Sequence, residues 1–477
     1  MLRRDFLRLL GLTATALGIE NYVRADLNPF SANINASDFR EFWWGVATAA
    51  YQIEGAAFED GKGPSIWDTF THKKRLKIRD RSNGDIACDF YHRYDSDIPL
   101  TANLGFNAFR LSLSWPRLLP DGINEVNIKA IDYYQRVIDT CLEHGLTPWI
   151  TLYHWDLPQA LEDKGGWLNR DIVDWFADYT YLCTKTLGDR VKHWIVLNEP
   201  LSFTLLGYGI SIHAPGKTGI DNFFRAAHHA ALAQAEGGRV IRDISGTSAH
   251  IGTAFSCSPI YPYNPQSEHD IRAAERIDAV VNRMFAEPTL KRGYPYAHAP
   301  ILHRIDKHMR DGDEQKLAFD FDFWGLQHYF RIVLKGNPLI PILKAYQVKP
   351  SKLGKTTTMN WEIFPEGLYQ ILKQFGQYPV KEFVITENGA SFDDVLENNT
   401  INDVQRIAYF RDYLTQVLRA KKEGIPVTGY FVWTLMDNFE WAEGYRQRFG
   451  IVYTDFATQK RYLKNSAIWW KQFLSSP

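Results

Sequence analysis

The 477-residue sequence predicts an α/β protein, a single (β/α)8 TIM barrel with extended βα loops. Three observations lead there. Eight short runs rich in β-branched and aromatic residues recur along the chain, and each is followed by a longer helical pattern. From about residue 39 onward no low-complexity linker, charge block or solenoid-type repeat interrupts that alternation, so residues 39–475 read as one domain.

In chain order the runs are Phe42–Ala47, Ala108–Ser112, Thr147–Leu152, His193–Leu197, His250–Phe255, Phe323–Gln327, Phe383–Thr386 and Thr428–Trp433. Each is strand-length and mostly apolar, as strands of a parallel sheet covered on both faces must be. The helical stretch from Ile128 to His144 illustrates the intervening pattern. Its Ile131, Tyr134, Val137, Ile138 and Cys141 fall on one face, and Gly145 supplies the stop.

In such a barrel the chemistry sits at the C-terminal strand ends and on the loops that follow. The polar residues fall there. Gln52 comes shortly after the first run, Arg110 within the second, and His154 with Trp155 close the third. Asn198 and Glu199 end the fourth, Tyr329 follows the sixth, Glu387 ends the seventh and Trp433 the eighth.

Two of these are acids in matching settings. Ile195-Val196-Leu197-Asn198-Glu199-Pro200 is an apolar strand ending in an amide, an acid and a proline that blocks continuation. Val384-Ile385-Thr386-Glu387-Asn388-Gly389 repeats the plan, with Gly389 expected to let the backbone turn sharply beside the acid. Barrel closure would bring the two carboxyls to one cavity. Glycosidic cleavage needs such a pair, one carboxyl to protonate the leaving oxygen and one to attack the oxocarbenium-like centre, about 5–5.5 Å apart for retention. Their protonation must differ. Arg110 and Tyr329 are candidates to hold Glu387 ionised, whereas Glu199, beside Leu197 and Pro200 and repelled by Glu387, would keep its proton near neutrality.

Bulk composition excludes other classes. Lys and Arg number 54 against 55 acids, a net charge of -1, which provides no field for nucleic acid or an anionic membrane. The 15 Trp, 24 Tyr and 29 Phe offer flat apolar faces that suit sugar rings, though most must be core. Cys88, Cys141, Cys183 and Cys257 stand far apart, without the spacing of a metal site, and read as buried free thiols. No metal or other cofactor is expected.

The N-terminus carries an address. Arg3-Arg4 precede Asp5-Phe6-Leu7 and a mild apolar stretch from Leu9 to Ile19, the pattern of a twin-arginine export signal over residues 1–25. The stretch is too short to span a bilayer, which takes about twenty apolar residues, so no stable membrane insertion is expected. The signal implies the twin-arginine export machinery as a partner and a periplasmic or exported enzyme; a cytoplasmic enzyme with an amphipathic N-terminal helix is the alternative.

The residues around both acids carry a specific resemblance. Asn198-Glu199-Pro200 and Ile385-Thr386-Glu387-Asn388-Gly389 resemble the acid/base and nucleophile signatures of family 1 glycoside hydrolases, the β-glucosidase family. Trp44 to Gly55, Phe109 to Arg117 and Asp437 to Trp441 agree with it, and the likeness runs from about Phe39 to Phe473. The resemblance implies a retaining exo-acting β-glycosidase that takes terminal β-D-glucosyl residues, with β-galactosides and β-fucosides as side activities. It also implies that Gln52, His154, Asn198 and Glu440 bind sugar hydroxyls, that Trp433 stacks beneath the ring, that Trp441 adds an indole donor and that Trp361 is the leaving-group platform. Trp155 reads equally as packing or sugar contact, and His92 and the His228-His229 pair as structural. A carboxylate at Glu440 would repel a phosphate, so unphosphorylated sugars are expected. A transglycosylase on the same scaffold and a non-catalytic sugar-binding barrel are the alternatives. Three departures from the usual family pattern stand out: Val196 in place of threonine, Gln327 in place of asparagine before His328-Tyr329, and Asn360 in place of glycine before Trp361.

Overall fold

Eight parallel strands close on themselves in a computed structural model that describes residues 34–340 and 343–475. They are β1 (Trp43–Ala47), β2 (Ala108–Ser112), β3 (Thr147–Tyr153), β4 (His193–Asn198), β5 (His250–Ser256), β6 (Phe323–Gln327), β7 (Phe383–Asn388) and β8 (Val427–Trp433). Each pairs with its sequence neighbours, and β1 closes the ring by pairing Trp43–Ala47 with Gly429–Trp433. All eight expected runs are strands, with ends shifted by a residue or two. The largest change is at β7, which runs two residues further, to Asn388, and β4 gains Asn198, because their polar ends remain paired in the sheet. Residues 1–25, where the export signal is expected, lie outside the described residues.

The N-terminal end of the barrel is plugged by aromatic packing. Trp149 of β3 stacks on His193 with ring centroids 4.3 Å apart and meets Phe323 and Phe431 at 5.3 and 5.0 Å. Burial pushes His193 down to about 4, so the ring packs there as a neutral imidazole. The high aromatic content is thereby largely accounted for as core.

Helices cover the outside. The one at Ile128–Glu143 buries Tyr134, Val137, Ile138 and Cys141 and ends before Gly145, whose φ of 73° suits glycine. The long helix Ile220–Ser245 approaches β4 closely because Gly237 has no Cβ; one would lie 2.7 Å from Val196 Cγ1. Val196 therefore faces this helix and not the cavity, so its departure from threonine concerns packing alone.

The extended loops hold their own small sheets. Ile260–Pro262, Ile332–Gly336 and Ala345–Gln347 form one, and Val452–Asp455 with Lys460–Leu463 form a hairpin. A buried charge cluster anchors the loops after β7 and β8. Lys464 donates to Asp394 (2.5 Å) and Asp437 (2.7 Å), Arg448 to Asp437 (2.7 Å), and Arg406 to Asp394 (2.7 Å) and to Asp403. The four cysteines are free and buried. No helix among the described residues is long and apolar enough to cross a membrane.

Candidate active site

At the C-terminal end of the barrel lies a cavity of about 590 Å³. His154, Trp155, Asn198, Glu199, Tyr329, Trp361, Glu387, Trp433, Glu440 and Trp441 all line it. Gln52 and Arg110 belong to the same cluster but sit one layer back, fully buried.

Local irregularities bring the two acids to it. The β4–β5 register shifts between Ile195 and Asn198, and the β6–β7 register between Ile385 and Glu387. Such bulges break the two-residue alternation and re-aim the side chains that follow. Glu199 then adopts a left-handed backbone (φ 45°, ψ 66°) as it caps the short helix Pro200–Phe203, a conformation rare for a side chain of this size. Gly389 has a different role from the one expected. Its φ is not left-handed; a Cβ there would lie 1.8 Å from the Trp433 carbonyl oxygen, so glycine is needed for the close approach of the β7 and β8 loops.

Glu387 is surrounded by donors. Arg110 Nη1 (2.6 Å) and Gln327 Nε2 (2.9 Å) reach its Oε1, and the Tyr329 hydroxyl reaches Oε2 (2.7 Å). Burial still lifts this carboxyl above the usual carboxylate value, against the pull of Arg110, Tyr329 and Gln327. Glu199 has weaker company. Ser202 Oγ donates to its Oε2 at 2.6 Å, and burial reinforced by the Glu387 charge pushes it up to about 8. Two glutamates at equivalent strand ends thus differ in their partners, since Glu387 is bonded to a guanidinium and Glu199 to a hydroxyl.

Asn198 joins the halves of the site. Its Oδ1 accepts from Arg110 Nη2 (2.6 Å) and Gln327 Nε2 (2.7 Å), which turns its Nδ2 toward His154 Nε2 at 2.9 Å. His154 Nε2 is then the acceptor, and the ring proton sits on Nδ1, which has no protein partner. Burial and Arg110 hold this imidazole well below its ordinary range, in the neutral form. Gln52 Nε2 donates to Phe439 O (2.8 Å), Asn438 Oδ1 (3.1 Å) and Glu440 Oε2 (3.3 Å), leaving its Oε1 without a protein partner. Burial, with repulsion from Glu387 and Glu443, pushes Glu440 up to about 8.

Aromatic rings form the walls. Trp433 lies nearly parallel to His154 at 6.0 Å, and Trp441 packs against Trp67 and Trp155, both at 4.6 Å. Trp155 packs on Trp441, donates Nε1 to the Asn198 carbonyl at 2.9 Å and lines the cavity. Trp361 stands beside Tyr329 and Phe330, each 5.2 Å away. The Asn360 before it has φ 58°, the left-handed region that explains a usual glycine and that asparagine tolerates best among other residues.

A model of glycosyl hydrolase family 1 matches residues 36–476. The 1,4-beta-D-glucan glucohydrolase of Thermotoga neapolitana is 44% identical over 438 residues, covering 91% of this chain and 97% of that one. This chain belongs to glycosyl hydrolase family 1. Beta-glucosidase A of Thermotoga maritima is 43% identical, over 93% of this chain and 99% of its own. The T. maritima enzyme solved with deoxynojirimycin superposes with a TM-score of 0.87 at 43% identity, covering 91% and 98% of the two chains.

Two positions in this family 1 hydrolase escaped the sequence reading as site residues. Gln327 was noted only as a departure; its extra methylene lets one amide nitrogen bridge Asn198 and Glu387 while Tyr329 keeps its 2.7 Å contact. Ser202 carried no signal except its place three residues after Glu199. The residues read as structural are so: His228 pairs with Tyr294 and Asp313, and His92 with Asp89 and Glu59 at the surface.

Proposed function

We propose that this family 1 hydrolase is a retaining, exo-acting β-glucosidase in which Glu199 is the acid/base and Glu387 the nucleophile. The unequal partners of two buried carboxyls, a guanidinium on Glu387 and a serine hydroxyl on Glu199, carry the reading. In the first step the Glu199 proton passes to the glycosidic oxygen, the bond from that oxygen to C1 breaks, and a Glu387 oxygen bonds C1. In the second, water attacks C1, its proton passes to Glu199, and the ester to Glu387 breaks.

The glycone would lie over Trp433 with its hydroxyls against His154, Asn198, Glu440, Gln52 Oε1 and the Trp441 indole. A pyranose offers hydroxyls at its rim and C–H faces above and below, which suits this lining. Deoxynojirimycin, held by the T. maritima relative, is a sugar mimic and supports a glycoside substrate. β-Galactosides and β-fucosides, altered at positions 4 and 6, would be side substrates, and Glu440 would repel a 6-phosphate once it is charged, above its value of about 8.

The test is an aryl β-glucoside with an activated leaving group. Glu387→Gln should abolish turnover. Glu199→Gln should still form the glycosyl-enzyme and be rescued by azide as the β-azide. Rescue of the Glu387 variant as the β-azide, with the Glu199 variant giving the inverted α-azide, would reverse the roles. Transfer to a sugar alcohol differs only in the acceptor, and product analysis at high acceptor concentration separates it from hydrolysis. The twin-arginine pattern supports export to the periplasm; unchanged periplasmic yield on replacing Arg3 and Arg4 by lysine would refute it.

A further inference from the structure

We propose that Ser202 is a positioning residue for Glu199, holding one carboxyl oxygen through both the protonated and the ionised stages of the reaction. This rests on the acid/base role given to Glu199 above. Three observations meet at the serine. Its Oγ is 2.6 Å from Glu199 Oε2, it lines the cavity, and the turn that joins the two residues is itself fixed. Glu199 caps the helix Pro200–Phe203 from a left-handed backbone, and the Ser202 amide donates to the Glu199 carbonyl at 2.9 Å. Main chain and side chain therefore clamp the same pair, and the carboxyl can turn only about its anchored oxygen.

The chemistry explains why a hydroxyl suits this place. An acid/base must present the same oxygen twice, first with a proton and then without. A serine hydroxyl donates to Oε2 in either case: to a carbonyl-like oxygen when the acid is protonated, and to a charged one after the proton has left for the glycosidic oxygen. The second bond is the stronger, because its acceptor is ionised. Ser202 thus favours departure of the proton in the first step and steadies the carboxylate that receives one from water in the second. An alanine would remove the restraint that comes from the carboxyl's own turn and leave the carboxylate with Ser256 as its hydroxyl partner.

The other groups facing Glu199 do not duplicate this. Glu387, Glu440 and the Cys257 thiol oppose its ionisation or are neutral, and Arg110 acts across space while bonded to Glu387 and Asn198. Tyr329 is committed to Glu387. Ser256, at the end of β5, is the other hydroxyl beside the carboxyl. It comes from a neighbouring strand and not from the turn that carries Glu199, so it does not restrain the rotation in the same way.

The experiment uses the intact enzyme, Ser202→Ala and Ser202→Thr. Each is assayed from pH 5 to 10 on methyl β-glucoside, which needs the acid, and on 2,4-dinitrophenyl β-glucoside, whose leaving group departs without it. For Ser202→Ala the basic limb of kcat/KM should move up by about one pH unit. The fall in kcat/KM at neutral pH should be about tenfold larger for the methyl than for the dinitrophenyl substrate. Ser202→Thr, which keeps the hydroxyl, should restore both readouts. Equal losses on both substrates with an unmoved limb, or threonine behaving as alanine does, would overturn the proposal. If neither substrate is hydrolysed by the unaltered enzyme, the glucosidase reading itself has failed.

Discussion

Gln327→Met tests the part of the site that is this chain's own. Methionine keeps the unbranched length of glutamine and removes only the amide, so the wall should stay filled. Two bonds go: Nε2 to Glu387 Oε1 at 2.9 Å and Nε2 to Asn198 Oδ1 at 2.7 Å. A bond to a charged group contributes about 1.5–3 kcal/mol and a neutral one about 0.5–1.5 kcal/mol. Together, with Arg110 and Tyr329 still in place on Glu387, the loss should be about 2–4 kcal/mol, or roughly 30- to 1,000-fold in kcat/KM. Stability should change less, because the Gln327 Oε1 that is buried without a partner disappears with the same substitution. The second bond can be isolated with a changed substrate. Asn198 is tied to the nucleophile, so its free amide hydrogen would meet the hydroxyl next to the reacting carbon, a contact that strengthens in the transition state. On an aryl 2-deoxy-β-glucoside the Gln327→Met loss should therefore be about two- to tenfold smaller than on the parent glucoside. Equal losses on both substrates would show that the amide does not act through Asn198. A loss below about threefold on the parent would show that it does not support Glu387 either.

Further outcomes follow from the same geometry. The kcat/KM profile should fall on its basic side near the Glu199 value of about 8, because the acid must start protonated. In Glu387→Gln, with the neighbouring charge removed, NMR titration of Glu199 should find it below that value; an unmoved midpoint would deny the coupling. Lys464→Met leaves Asp394 and Asp437 short of a buried cation, and should destabilise the fold by about 3–5 kcal/mol, measured as a lower urea midpoint. Leu201, Leu205, Leu206 and Ile212, which follow Glu199 and line the cavity, should favour an apolar aglycone. Hexyl β-glucoside should then exceed methyl β-glucoside in kcat/KM by about tenfold or more, since a buried methylene is worth about 0.8 kcal/mol, and a flat series would refute it.

The barrel was legible because strand and helix periods alternate and because polar residues in apolar strands have few places to be. Glu199 and Glu387 stood out for the same reason. What the sequence could not display was anything created by register. The bulges at β4 and β7 depend on how neighbouring strands pair, and so the reach of Gln327 to both Asn198 and Glu387 was invisible. Gly389 invited a conformational explanation, yet its reason is the Trp433 carbonyl, which is 44 positions along the chain and is brought near only when β7 meets β8. Ser202 is an ordinary helix residue until the left-handed turn at Glu199 folds the carboxyl back onto it.

Arg110 makes most sense as a functional and not a stabilising charge. It lies wholly buried in the barrel, donating to Thr151 Oγ1 (3.1 Å), the Thr386 carbonyl (3.0 Å), Asn198 and Glu387. Burying an ion pair in this way generally gains little over a well-packed apolar replacement, since desolvation offsets attraction. What it provides is a fixed field that needs no reorganisation when a sugar arrives. One guanidinium orients the Asn198 amide, opposes the burial that lifts Glu387, and is itself held by β3 and β7. The Glu387 carboxyl is still raised by burial, against the pull of its donors. A nucleophile bound more tightly would be a weaker one, and one left without Arg110 would have no guanidinium to oppose the burial that raises it.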